Sequence, residues 1–327
     1  MILHPAIETA AKALDGVALT RDEALALGDV GGGDILDLVS LANKVRAKFA
    51  PETGFCSIIN AKSGVCDQNC RFCAQAAAHA TGIETYPFIG ADAILAGARE
   101  AYEKGVRTFG IVTSGRGYET PTPEFRRILE TLDALAAEFP DMQRCVSLGI
   151  LSEECAGLLA AHGAQRYNMN LQTAPGRYAG LITPMHGVGE KTVTIRRLRA
   201  HGIAVCCGGI LGLGETWEDR VALAFACGES GADGIPLNVL LPIKGTPLED
   251  LPVMQPAEVA KAFAMFRLVN PAKTLRFAAG RETVMKDFQG LLMLAGMNSV
   301  ITGGYLTTRG RSVGDDREFA GRLALFG

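Results

Sequence analysis

The fold class this sequence predicts is α/β: a (β/α)8 TIM-type barrel with an N-terminal helical extension. Three observations carry that expectation. From residue 55 onward, short β-rich runs alternate with longer amphipathic helical stretches, the pattern of parallel βαβ units. Eight such runs occur, and 327 residues are ample for one barrel. The 39 glycines suit the many tight strand-to-helix turns such a fold needs. A doubly wound open sheet has the same periodicity and stays an alternative.

Taken in order, residues 1–50 read as helical (6–14, 21–27 and 33–50) and form the extension, while 51–327 form a single catalytic barrel domain with a C-terminal cap. Strands are expected at 55–60, 107–113, 144–149, 166–172, 203–211, 234–243, 274–278 and 299–302. Amphipathic helices separate them, for example at 92–104, 123–138, 152–162 and 256–268. A chain that is 48% hydrophobic and 20% charged can bury one large core. A net charge of −3 without any basic run gives no electrostatic reason to expect nucleic acid. The N-terminus lacks a basic region followed by an apolar stretch, and no apolar run is long enough to span a bilayer. The expected location is cytoplasmic, with no membrane association.

Nine cysteines in a reducing compartment point to metal ligation rather than disulfides. Three of them, Cys66, Cys70 and Cys73, have the spacing CxxxCxxC in a loop just after the first strand. That is the barrel end where active sites are built. Three thiolates can hold three irons of a 4Fe-4S cluster and leave the fourth iron open. The open iron can chelate the amino and carboxylate groups of S-adenosylmethionine, and electron transfer then releases a 5′-deoxyadenosyl radical. The competing reading is structural zinc, which normally uses paired ligands and fills four positions. Only Cys56 or His79 is near enough in sequence to serve as a fourth, and His79 reads better as a polar loop residue.

Beyond the triad, which marks the radical S-adenosylmethionine superfamily, the segments CSIINAKSGVCDQNCRFCAQ, GIAVCCGGILGLGET, IPLNVLLPIKGTPL and LRFAAGRE occur in this order. In these the chain resembles the biotin synthase family, from about residue 20 to about residue 310. The resemblance implies a barrel enzyme that inserts sulfur between C6 and C9 of dethiobiotin. It implies a second, auxiliary iron–sulfur cluster deep in the barrel as the sulfur donor. It further implies a flavodoxin or ferredoxin reductant, iron–sulfur assembly proteins as partners, and a homodimer. Residue by residue, Phe72 takes the aromatic place near the adenine. Asn168 and Asn170 match asparagines that contact substrate and nucleoside, and Asn238 matches the one that holds the ureido ring. Lys191 falls where a basic residue approaches the methionine carboxylate. Thr307 and Thr308 fall near the position that receives the valeryl carboxylate. Gly212 and Gly214 belong to a glycine-rich run that would let a nucleoside approach the backbone.

The residues themselves support part of this. Alternation along a strand turns Asn168, Asn170 and Gln172 to one face, and three amides on the inner face of a closed barrel need polar partners. Two departures from the family pattern stand out. Gln172 replaces the acidic residue expected to accept the ribose hydroxyls. The family's 2Fe-2S auxiliary cluster has three cysteine ligands and one arginine. Cys145, Cys206 and Arg276 match three of those places, and the fourth is Gly110, which cannot ligate iron. Interior layers of an eightfold barrel come from alternate strands. Cys56, on strand one, would therefore share a layer with Cys145, Cys206 and Arg276 and could replace the missing ligand, in a cluster of 2Fe-2S type or larger. Cys207 is the rival, although neighbours in a regular strand face opposite sides. Cys155 and Cys227 read as small buried hydrophobes. Two other readings stay open: a related barrel enzyme without sulfur insertion (methylornithine synthase or hydrogenase maturase type), and a non-enzymatic iron–sulfur or zinc-binding protein.

Overall fold

The computed structural model describes residues 3–306 and 310–326. Eight parallel strands form its centre: β1 (Gly54–Lys62), β2 (Thr108–Thr113), β3 (Gln143–Ser147), β4 (Arg166–Asn168), β5 (Ala204–Cys206), β6 (Gly234–Val239), β7 (Thr274–Phe277) and β8 (Ser299–Ile301). Each pairs with its sequence neighbours, and β7 pairs with both β6 and β8 while β8 pairs with β1. The sheet is therefore a closed barrel, and the open-sheet alternative falls.

All eight expected strands exist, but three end early for a physical reason. The run at 203–211 is broken at Cys207 and Gly208, and residues Gly209–Leu211 then pair with β6, with Gly209 also bridging Gln172. A Cβ on Gly208 would lie 1.8 Å from the Pro236 carbonyl oxygen, so only glycine permits this approach. The run at 166–172 leaves the ladder after Asn168, and Gln172 takes a left-handed φ of 71° with its amide bonded to the Gly208 carbonyl. The run at 234–243 stops at Val239, where the chain turns out to form the rim.

Helices between the strands start where the sequence places caps. Thr122, Ser152 and Thr216 each accept a hydrogen bond from the backbone three residues on. Before β1 come helices at Pro5–Ala10, Arg21–Ala26 and Asp34–Phe49, and the last packs against the helix Pro256–Val269. A buried polar staple fixes this seam to the barrel floor. Arg267 is wholly buried and donates to the carbonyls of Gly296, Pro271 and Lys273 at 2.7, 2.9 and 2.8 Å and to Asn298 Oδ1 at 3.0 Å. Asn298 in turn accepts from the Leu275 amide and donates to the carbonyls of Ala50 and Glu52, joining the starts of β1, β7 and β8. Among the described residues no helix is long and apolar enough to cross a membrane.

Removing the guanidinium strands several buried carbonyls at once. Arg267→Ala is therefore expected to cost about 3 kcal/mol or more of stability, read from the denaturant midpoint of the metal-free protein.

Candidate active site

The triad cysteines sit in the loop that follows β1. This loop is held by its own backbone: the Cys66 amide donates to the Gln75 carbonyl, the Cys73 amide to the Cys70 carbonyl, and the Ala77 amide to the Cys66 carbonyl. The loop is also pinned from outside by the segment before the helix Val188–Ala200. The Arg71 amide donates to the Ile182 carbonyl, and Thr183 donates to Asn69 Oδ1 at 2.5 Å. His186 bridges Gln68 Oε1 at 2.8 Å and the Tyr178 hydroxyl at 2.9 Å. Cys70 and Phe72 pack against an apolar cluster of Tyr178, Ile182, Ile210, Leu213 and Leu240. Burial, reinforced by Cys73 and Cys66, pushes the Cys70 thiol up to about 12, while the nearby Lys191 ammonium pulls it back. Burial also raises Cys73. His79 is tied to the loop, its Nδ1 lying 2.9 Å from the Cys73 carbonyl oxygen.

Beneath the loop a cavity of about 340 Å³ runs down the barrel. Phe72 and Cys73 line its mouth, and Cys56, Cys145, Cys206 and Arg276 line its floor. Closure of the barrel thus brings strands one, three, five and seven together as expected. Arg276 Nη1 donates to Cys206 Sγ at 3.5 Å and its Nε to Ser299 Oγ at 2.9 Å. Burial lowers the pKa of the Arg276 guanidinium, but Cys56, Cys206 and Cys145 outweigh that and raise it. Burial likewise raises the thiols of Cys56 and Cys145, with Arg276 opposing. Gly110 also lines the cavity, on one rung with Ile58 and Cys145. A Cβ there would lie 3.1 Å from Ile58 Cγ2, so a side chain at 110 would press on Ile58. Cys207 faces away: it lies in the hydrophobic core with Cys227, whose thiol hydrogen bond, together with that of Ser230, lowers its pKa. Cys155 is also core.

Asn168, Asn170, Gln172 and Asn238 all reach the cavity wall. Asn170 Oδ1 accepts from the Gly208 amide at 3.1 Å. Asn238 clips the rim, donating to the Gly209 carbonyl at 3.2 Å and accepting from the Ala279 amide at 3.0 Å. Gln172 Oε1 is buried and, among the described residues, has no hydrogen-bond partner, which is what a polar wall awaiting a ligand looks like. Gly212 and Gly214 lie off this wall, and a Cβ on Gly212 would meet Met254 and Leu240. Lys191 is buried, near Cys70 and 5.6 Å from the Tyr178 ring centre, outside the cavity lining. Thr307 and Thr308 lie outside the described residues. The sequence reading missed the supports: Gln68, Tyr178, His186 and, on the cavity wall, Tyr305. None carries a local spacing signal, because each meets its partner only through the fold.

The donor chemistry suits iron–sulfur clusters. Burial makes Cys70 and Cys73 in the triad loop, near a lysine, and Cys56 and Cys145 on the floor, near an arginine, weaker acids in the bare protein. A bound metal deprotonates a coordinating thiol outright and removes that penalty.

Comparison with known proteins agrees. Residues 61–227 match the radical SAM superfamily and residues 236–325 the biotin and thiamin synthesis associated domain. The class so defined is that of the radical S-adenosylmethionine enzymes. Biotin synthase of Chlorobaculum parvum is 54% identical over 99% of this chain and 98% of its own, and that of Chlorobium luteolum 53% identical over 99% and 98%. The chain belongs to the biotin synthase family, and with it to the sulfurtransferases that use S-adenosylmethionine, a 4Fe-4S cluster and an auxiliary iron–sulfur cluster. A solved methylornithine synthase superposes with a TM-score of 0.81 over 97% of this chain and 96% of its own; at 18% identity the likeness is one of fold.

The bridge at His186 yields a pH dependence. Burial, then the Lys191 charge, takes this imidazole down from 6.5 to about 4. Between those values the unfolded chain binds more protons, so stability rises with pH through the window and is lost as pH falls from about 6.5 to about 4. Acid titration of the metal-free protein's unfolding midpoint should show this loss, and His186→Gln should show less of it.

Proposed function

We propose that this enzyme converts dethiobiotin to biotin, with the triad Cys66, Cys70 and Cys73 holding the 4Fe-4S cluster and Cys56, Cys145, Cys206 and Arg276 holding the auxiliary cluster. The observation that carries the reading is the floor of the cavity: three inward thiols and a guanidinium on alternate strands, below the triad loop and open to the same space. When bound, the two clusters and S-adenosylmethionine supply hydrogen-atom abstraction from unactivated carbon and the sulfur that replaces the hydrogens.

The chain's own residues place the reactants. Asn168, Asn170 and Asn238 present amides to the ureido ring; each keeps a donor or acceptor beyond its present bonds. Gln172 offers its free carbonyl to a ribose hydroxyl, Phe72 offers its ring to the adenine, and Lys191, beside Cys70, offers its charge to the methionine carboxylate. Thr307 and Thr308 receive the valeryl carboxylate. Ile58, Val112, Val146 and Leu240 line the cavity with apolar surface that keeps water from a radical. Cys56, rather than Cys207, takes the place vacated at Gly110.

The chemistry needs an outside electron, which a flavodoxin or ferredoxin supplies. Val65, adjoining Cys66, is 75% exposed, so the triad loop comes to the surface where such a donor can dock. Assembly proteins load the clusters, and the enzyme works as a cytoplasmic homodimer. Residues 1–50 are an extension of one catalytic unit, consistent with the packing of the helix Asp34–Phe49 on Pro256–Val269.

Reconstituted protein incubated anaerobically with S-adenosylmethionine, reductant and dethiobiotin should yield biotin, 5′-deoxyadenosine and methionine by mass spectrometry. Deoxyadenosine without biotin would move the assignment to a barrel relative that does not insert sulfur. Cys56→Ala should lose auxiliary iron while the triad cluster survives; a full iron complement would end its role as ligand.

A further inference from the structure

Arg166 has no counterpart among the roles assigned above. It opens β4, on one rung with Gly110 and Cys145. Its Nη1 donates to Cys206 Sγ at 3.6 Å, the same sulfur that Arg276 reaches at 3.5 Å. Each guanidinium is then anchored by a neutral group: Arg166 Nε donates to Gln143 Oε1 at 3.0 Å, and Arg276 Nε to Ser299 Oγ at 2.9 Å. Gln143 Oε1 also lies 3.4 Å from Thr108 Oγ1, so the anchor is itself held.

Two like charges converging on one thiol in a barrel floor repel each other, and neutral anchors do nothing to offset that. The arrangement makes sense where the space between them carries substantial negative charge. Three thiols, Cys56, Cys145 and Cys206, face that space, and both arginines act electrostatically on Cys56 and Cys145 as well.

We propose that Arg166 is a second cationic clamp on the auxiliary cluster, a positioning residue that donates to the Cys206 sulfur from the barrel floor and raises the cluster's reduction potential. Hydrogen bonds to cluster sulfur and nearby positive charge stabilise the reduced, more negative form. Arg276 touches the cluster as a ligand; Arg166 acts through the Cys206 sulfur. Gln143 sets its reach.

The inference rests on the floor residues holding a cluster, as proposed above, and the test separates the two. Reconstituted full-length protein is titrated with reductant and followed by visible absorption and electron paramagnetic resonance, with iron and sulfide counted. Arg166→Gln should move the auxiliary midpoint to a more negative value and leave the triad cluster where it was. Arg166→Lys should keep most of the wild-type value, and Gln143→Met should shift it part of the way. If Arg166→Gln fails to retain the auxiliary cluster, rescue by Arg166→Lys supports the clamp and failure of both counts against it. An unchanged auxiliary potential in fully loaded Arg166→Gln overturns the inference alone. Wild-type protein that assembles no auxiliary cluster overturns the floor assignment and the inference with it.

Discussion

Strand β7 pairs with β6 from Thr274 to Phe277 and with β8 through Arg276 and Phe277, and this double pairing closes the sheet. Everything in the site depends on it. An open sheet would leave Cys56 and Arg276 near one edge and Cys145 and Cys206 elsewhere. Closure turns their side chains onto one cavity, so residues 220 positions apart in sequence meet on one floor. The staple of Arg267 and Asn298 holds the strand starts that this closure brings together, and it does so with buried hydrogen bonds rather than apolar contact.

The cavity joins two electrostatic problems of the same kind. At each end thiols are buried beside cations, Lys191 above and Arg166 and Arg276 below. In the bare protein burial outweighs the nearby charge at Cys70, Cys56 and Cys145 and raises their thiols. Thiolate ligation to metal reverses this, and the cations then face anions. The same charges that look misplaced without a metal are the ones a metal–sulfur centre requires. The wall between the ends is neutral and amide-rich, suited to a substrate that is polar at its ring and apolar along its chain.

Gly110 is packed closely by the strand beside it. Ile58, two residues after Cys56 on the same strand face, fills the volume beside Gly110. Cys56, on the strand beside Gly110, gives the floor a third thiol with Cys145 and Cys206. A side chain at 110 would need Ile58 to give way by a few tenths of an ångström.

Much of this was legible in the amino-acid order. Eight β-rich runs separated by amphipathic helices contain the barrel, because parallel βαβ units are local patterns repeated. The triad spacing is short enough that three thiols must share a loop. Asn168, Asn170 and Gln172 do face the cavity together, although the ladder ends at Asn168 and Gln172 takes a left-handed φ rather than a strand conformation. Tertiary structure alone decided which thiols meet. Cys206 and Cys207 are adjacent in sequence, yet one lines the floor and the other joins Cys227 in the core, since the break at Gly208 and the path of the next strand determine which face is inside. The same holds for His186 on Gln68 and Arg166 on Cys206. Side chains of ordinary type become a site only through distances set by non-local packing, and no spacing along the chain encodes those distances.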